Sequence, residues 1–207
     1  MATPKLIFDN AWLRCDMLAV IHAYTSTNLS AAFDSREILR AEWVSRVSAL
    51  DLYIHEFISQ KMLEIFQKRR ANTIKYDKFT IPHNVMNNII NNSHNCEQIY
   101  DLEIRRQLSI QTFQNSDSIA DGIRLISNVP LWREIALNQG ATNSDADSKA
   151  KSLKQQLNMI VDRRNKIAHE GDMMPSTPRT PWPITKEDLV VVKKFIEKLV
   201  DSIDRII

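Results

Sequence analysis

Glycine constrains this chain more than any other residue type, because only 3 of its 207 residues are glycine. At the average usage of about 7%, a chain of this length would contain about 14. Gly122, Gly140 and Gly171 lie far apart, so no loop is glycine-rich. This excludes the P-loop and the dinucleotide-binding fingerprint, which need clustered glycines beside a phosphate. It also disfavours hairpin-rich all-β folds, whose tight turns use glycine at positive φ.

The composition is that of a globular protein, and no cofactor site is evident in the sequence. Hydrophobic residues make up 43% and charged residues 25%, and the net charge is +2. So small a charge does not indicate nucleic-acid binding by itself, and any such site must be local. His83, His94 and Cys96 are too sparse to supply the about four ordered ligands of a metal site. We therefore expect no metal and no other cofactor.

The sequence shows neither a secretion signal nor a membrane span. No apolar segment approaches the ~18 residues that a span needs, and the start MATPKLIFDNAW does not resemble a secretory signal. The two cysteines, Cys15 and Cys96, do not form a disulfide framework. We expect a cytoplasmic protein that has no membrane partner.

Hydrophobic periodicity predicts helices along nearly the whole chain. A first helix over 9–24 would start at Asp9 as its N-cap. Apolar residues three and four apart predict that its buried face contains Trp12, Leu13, Met17, Val20, Ile21 and Tyr24. The longest periodic segment runs over 35–70, and Ser35 can cap it. Its apolar side is predicted to hold Ile38, Leu39, Trp43, Val47, Leu50, Ile54, Phe57, Ile58, Met62 and Ile65.

The second half of the chain contains short helices followed by two long ones. The region 71–145 is predicted to be a variable helical insertion with helices near 82–90, 96–113, 116–127 and 131–137. A strong helix over 146–169 would end at Gly171 as its C′ residue. A loop with four prolines follows, and its Trp182 is either a lid over the core or an exposed stacking platform. Thr185 and Asp188 resemble a capping box that opens a last helix over 186–206.

The end of the 146–169 helix combines three residues that suit chemistry on a phosphate. Arg164 lies within about 20° of Leu157 on the apolar stripe, where an unpaired charge is costly. Asn165 and His169 are four residues apart and share a face, and His169 stands in the last turn. Arg163 also fulfils the arginine-to-histidine spacing, but it lies about 100° from Arg164 around the helix axis, and we expect it to point toward solvent. A solvated arginine and a helix-capping histidine are the structural alternative.

These residues carry a family resemblance. RRNKIAHEG resembles the signature of HEPN domains, which is an arginine, a polar residue and, four to six positions after the arginine, a histidine. RAEWVSRVSALDLYIHEFI, with Asp51 and Tyr53, is similar to the first core helix of the RiboL-PSP-HEPN branch. The resemblance covers 36–70 and 150–206. It implies one all-α, HEPN-like helical bundle over 1–207, with the helical insertion between its two core helix pairs.

The resemblance also implies an activity. Many HEPN domains are dimeric, metal-independent endoribonucleases, and Arg164 and His169 match their catalytic pair. Asn165 would orient the histidine or a phosphate oxygen, and Lys166 and Arg163 would add positive charge. Asp51 would either neutralise Arg164 or pair with His55. Gly171 stands where some family members carry a tyrosine that is modified in toxin–antitoxin pairs, which puts that form of control in doubt.

We therefore expect an RNA-cleaving enzyme of bacterial defence or of a toxin-like system. Because Arg164 and His169 point about 140° apart on one helix, we expect two chains to share the site in a homodimer. An antitoxin or another regulatory protein would be a further partner. The alternatives are a catalytically silent HEPN module that binds RNA or a protein, and an unrelated helical scaffold.

Overall fold

The computed structural model describes residues 2–30 and 33–207, and within them it consists of helices and connecting segments. The only strand-like pairing there is an isolated bridge between Met173 and Pro181. A 3₁₀ turn covers Ser93–Asn95. The all-α prediction is confirmed. The nine α-helices of the described residues are α1 (Pro4–Asn28), α2 (Arg36–Phe66), α3 (Ile74–Asp77), α4 (His83–Asn91), α5 (Cys96–Leu108), α6 (Ser116–Ile123), α7 (Leu131–Asn138), α8 (Ala146–Glu170) and α9 (Lys186–Ile206).

Helix α2 forms the centre of the bundle and packs against α1, α5, α6, α8 and α9. Its predicted apolar side is confirmed, because eight of those ten residues are buried and Ile38 and Trp43 are half-buried. The helix ends at Phe66, earlier than predicted, because Lys68 adopts a left-handed conformation with φ 61°. A central helix has little solvent-facing surface, so α2 also buries Arg40, Glu42 and Arg46.

Helix α1 corrects two predictions. It begins at Pro4, and its N-cap is Thr3, whose hydroxyl accepts from the Leu6 N–H at 3.2 Å. Of the predicted buried face, only Trp12 is buried. The face that packs on α2 is the opposite one and holds Pro4, Phe8, Ala11, Trp12, Cys15 and His22. Phe8 contacts Tyr53 edge to face, with the ring centroids 5.7 Å apart, so aromatic packing selects this face.

The two helices at the end of the chain agree with the sequence prediction. Helix α8 ends at Glu170, and Gly171 follows in a left-handed conformation with φ 63°. Thr185 and Asp188 form the predicted capping box at the start of α9, where the Thr185 hydroxyl accepts from the Asp188 N–H at 3.2 Å. Local hydrogen bonds determine both termini, which explains why the sequence locates them.

The predicted insertion forms α3 to α7, with helix ends that differ from the predicted ones by a few residues. Its α6 lies so close to α2 that a Cβ atom on Gly122 would be 2.5 Å from Ile58 Cδ1 and 2.7 Å from Phe113 Cε1. Any larger residue at position 122 would therefore force Ile58 and Phe113 to shift. Trp132 on α7 donates to the Ser116 carbonyl at 2.9 Å, which ties the short helices together.

Candidate functional site

The C-terminal end of α8 carries the predicted site residues. The left-handed Gly171 turns the chain sharply, and the Asp172 N–H donates back to the Lys166 carbonyl at 3.0 Å. This closure satisfies carbonyls that the helix leaves open at its end. His169 consequently stands in the last turn, five residues beyond Arg164.

Arg164 has a guanidinium group without an acidic partner. Its Nη1 donates to Asn165 Oδ1 at 3.1 Å. Its Nε is buried and has no hydrogen-bond partner. Within 4.0 Å of the guanidinium, none of the described residues places a carboxylate. The side chain is half-buried, so part of it still faces solvent. The group therefore has no carboxylate partner and offers N–H donors that the chain does not use, and such donors suit a phosphate oxygen.

His169 is exposed. Among the hydrogen bonds of the described residues, none involves its ring. Within one chain, a hydrogen bond therefore joins Arg164 to Asn165, and no hydrogen bond of the described residues joins either of them to His169.

Arg163 lies in different surroundings from those predicted. Its Nη2 donates to Asp172 Oδ2 at 2.7 Å, and the carboxylate also accepts from Arg40 Nε at 3.0 Å. Asp172 is completely buried, and the Arg163 side chain is only 22% exposed. The expectation that Arg163 points toward solvent is therefore wrong, because a buried carboxylate attracts it inward. We call Arg40, Asp172 and Arg163 the Asp172 clamp.

The Asp172 clamp also fastens the proline-rich loop. Arg40 Nη2 donates to the Trp182 carbonyl at 2.7 Å, and the Trp182 N–H donates to the Asp172 carbonyl at 2.7 Å. Arg163 Nη2 reaches the Pro183 carbonyl at 3.0 Å. The Trp182 ring is half-buried, and Lys166 Nζ lies 5.9 Å from its centroid. The ring is thus neither a fully buried lid nor a free stacking platform.

Sequence reasoning missed Arg40 and Asp172. Asp172 is next to the predicted C′ glycine, and its φ of 56° is a left-handed value that aspartate tolerates better than most residues. This is the one local signal. Arg40 lies 132 residues away along the chain, and no spacing rule relates the two positions.

The structure decides between the two roles expected for Asp51. Its Oδ1 accepts from the Phe113 N–H at 2.6 Å, and its Oδ2 accepts from Gln114 Nε2 at 3.0 Å. His55 Nε2 lies 3.6 Å from the same carboxylate. Asp51 therefore anchors the insertion and pairs with His55, and the expectation that it neutralises Arg164 is wrong.

Neither a group of metal-binding side chains nor a membrane-spanning helix is found in the part of the chain that the structure describes. Among the described residues, no three or more His, Cys, Asp or Glu side chains are grouped so that they could hold a metal ion. In the same part of the chain, none of the helices has the length and apolar character needed to cross a membrane.

Comparison with known proteins identifies the family. Neither the curated proteins nor the solved structures include a match to this chain. The family model described as RiboL-PSP-HEPN matches residues 10–207, which is nearly the whole chain and includes both the α2 and the α8 segments. The chain therefore belongs to the RiboL-PSP branch of the HEPN domain family, and this membership supports a nuclease or another RNA-related role in general.

Proposed function

We propose that the protein is a metal-independent endoribonuclease whose site contains Arg164, His169 and Asn165. One observation carries the proposal. Arg163 and Arg164 are neighbours, yet Arg163 pairs with a buried carboxylate while Arg164 is half-buried and has no carboxylate partner among the described residues. A guanidinium held in this way suits a phosphate diester, because it offers N–H donors to the two non-bridging oxygens.

The chemistry is an internal transfer at phosphorus. The ribose 2′ oxygen attacks the adjacent phosphorus while a base removes its proton. The bond from phosphorus to the 5′ oxygen breaks, and an acid protonates that oxygen. The products are a 2′,3′-cyclic phosphate and a 5′-hydroxyl. His169 acts as the base or the acid, Arg164 offsets the charge that builds on the phosphate oxygens, and Asn165 holds the guanidinium through its Oδ1.

A homodimer completes the site in this proposal. One chain supplies one exposed histidine at the α8 end, whereas the reaction gains from a base and an acid on opposite sides of the phosphate. Two α8 ends around a two-fold axis would place two Arg–His sets in one cleft. Because Asp172 offsets the charge of Arg163, the positive field of that cleft comes from Arg164 and the exposed Lys166.

A bacterial defence or toxin-like setting is part of the proposal, with an antitoxin or another regulatory protein as partner. A catalytically silent HEPN module that binds RNA or a protein is the second candidate. It is favoured by the buried Nε of Arg164 and by the absence, among the described residues, of a hydrogen bond between Arg164 and His169.

The deciding experiment is RNA cleavage without metal. The purified protein is incubated with total RNA in EDTA, and the new ends are mapped. We expect cyclic-phosphate ends that disappear in Arg164→Ala and persist in Lys151→Ala, which removes an exposed cation from the first half of the same helix. If no ends form, the silent module is the better description. Ends that form equally in Arg164→Ala would contradict the proposed role of Arg164.

A mixing experiment tests the shared site. His169→Ala chains are mixed in excess with wild-type chains, so that most wild-type chains pair with a variant chain. If each site needs both histidines, cleavage per wild-type chain falls by much more than half. Activity that stays proportional to the number of wild-type chains would contradict a shared site.

A further inference from the structure

Helix α1 carries an apolar stripe that the bundle leaves uncovered. Five large apolar side chains on it are each at least half exposed: Leu6 50%, Leu13 64%, Met17 59%, Val20 69% and Tyr24 65%. The polar Asn10 lies between the first two and is also exposed. A stripe of this length presents on the order of several hundred Å², which is as large as the largest apolar patch on a typical monomer.

The spacing of the stripe is that of a two-stranded coiled coil. Its steps are four, three, four, three and four residues, which is the heptad alternation of a and d positions. At 100° per residue, all six side chains lie within about 40° of Leu6. The residues at the f positions of the same heptads are Phe8, Cys15 and His22, and all three are buried against the bundle. The stripe therefore faces directly away from its own domain.

The charges beside the stripe select the occupant and its direction. Asp9 and Asp16 flank one edge, at about 60° and 80° from Leu6, and Arg14 flanks the other edge at about 80°. Asp16 already pairs with Arg46 at 2.8 Å and with Lys193 at 2.7 Å, so Asp9 is the acid of this edge that can contact a second copy. Two copies packed in parallel bring the acidic edge of one against the Arg14 edge of the other. An antiparallel pair would place acidic edge against acidic edge. The parallel arrangement aligns Asp9 at a g position with Arg14 of the second copy at the following e position.

Both of these groups are able to form that contact. Arg14 is exposed, and no carboxylate of the described residues lies within ion-pair distance of it. Asp9 accepts from Lys5 Nζ at 2.7 Å but remains 50% exposed, so a second cation can approach it. Asn10 would meet Asn10 of the second copy, because a single asparagine at an a position favours an in-register parallel pair.

We propose that α1 pairs in parallel and in register with α1 of a second copy of this chain, as a two-stranded coiled coil. The interface is separate from the α8 end, since no hydrogen bond or ion pair joins α1 to α8 among the described residues. The proposal does not rest on the ribonuclease, because neither Arg164 nor His169 lies on α1. If the α8 ends also pair and the two two-fold axes cross at right angles, the assembly is a closed tetramer; if the α8 ends do not pair, it is a dimer.

The mass in solution tests the interface. Leu13→Lys with Val20→Lys adds two charges to the stripe, and both side chains are exposed, so the fold and its melting temperature should not change. Light scattering should show that the mass falls by half. The matched control is Leu102→Lys with Ile110→Lys, which adds the same charge at side chains that are 66% and 80% exposed elsewhere. A wild-type monomer, or equal masses for wild type and the stripe variant, overturns the proposal.

Crosslinking and charge exchange test the direction. In a Cys96→Ser background, Asn10→Cys should form a disulfide with its own counterpart in a parallel pair. An antiparallel pair keeps the two positions far apart, and a failure to crosslink overturns the parallel arrangement. Asp9→Arg and Arg14→Asp should each weaken pairing about two- to fivefold for each lost ion pair. Mixed together, the two variants should prefer each other, because both contacts then have opposite charges again.

Discussion

Two neighbouring regions at the C-terminal end of α8 differ in their electrostatics. In the Asp172 clamp, one buried carboxylate accepts from two guanidinium groups, Arg40 and Arg163. In the adjacent region, Arg164 has an amide neighbour and no acid, and His169 is exposed. Two arginines that are adjacent in the sequence thus have different surroundings. Arg163 holds the loop after the helix through Asp172, whereas Arg164, which we propose binds the phosphate, has no carboxylate partner among the described residues.

Removal of His169 should have the largest effect on cleavage. We expect His169→Ala to lower cleavage by about 10²–10⁴-fold, because a general acid or base contributes that much. Stability should hardly change, since the side chain is exposed and its loss leaves no cavity. Cleavage rates and thermal unfolding measure the two effects. Unfolding of the variant would instead support a structural role for the histidine.

Arg164→Ala should have the next largest effect on cleavage. We expect a loss of about 10²–10³-fold, which is typical when a group that stabilises transition-state charge is removed. The melting temperature should change little, because no ion pair is lost. Arg164→Lys should restore only part of the rate, since a lysine lacks the planar fork of donors. If Arg164→Ala cleaves normally and Arg163→Ala does not, the two regions have exchanged roles.

The carboxylate of the clamp should matter for stability. Asp172→Asn keeps a residue that tolerates a left-handed φ but leaves two guanidinium groups without their buried anion. We expect the free energy of unfolding to fall by about 3 kcal/mol, as measured by urea denaturation. Asp162→Asn, at an exposed position on the same helix, is the control and should change the stability by less than about 0.5 kcal/mol. Equal stabilities for the two variants would show that the clamp contributes nothing.

Arg163→Ala should cost less than the loss of the carboxylate, because Arg40 still holds Asp172. We expect about 1–3 kcal/mol and nearly unchanged cleavage per folded molecule. A double-mutant cycle with Asp172→Asn should reveal a coupling between the two positions. Additive effects would mean that the ion pair seen in the structure has no energetic consequence.

Metal removal should have the smallest effect. We expect cleavage rates with and without EDTA to agree within about twofold, because the proposed Arg–His chemistry moves protons and charge without a Lewis acid. Activity that vanishes in EDTA and returns with a divalent ion would contradict the proposed metal-independent mechanism.

In helix α1, periodicity alone predicted the wrong buried face. Apolar residues do recur three and four positions apart there, and they correctly predict an amphipathic helix. The opposite face carries Phe8, Ala11, Trp12 and Cys15, and it packs on α2 through aromatic contacts with a residue 45 positions away. The helix therefore has two apolar faces, and only the arrangement of the bundle determines which of them becomes the core.

Local interactions control the features that can be predicted from the amino-acid sequence. These are the all-α class, implied by scarce glycine and helical periodicity, the end of α8 at Gly171, the capping box at Thr185 and the spacing of Arg164 to His169. Helix packing establishes that Asp172 pairs with Arg163, that Asp51 anchors the insertion, and that the α1 stripe faces outward. Each of these depends on groups between about 9 and 132 residues apart in the chain. Their pairing follows from how helices pack, which no short pattern of residues records.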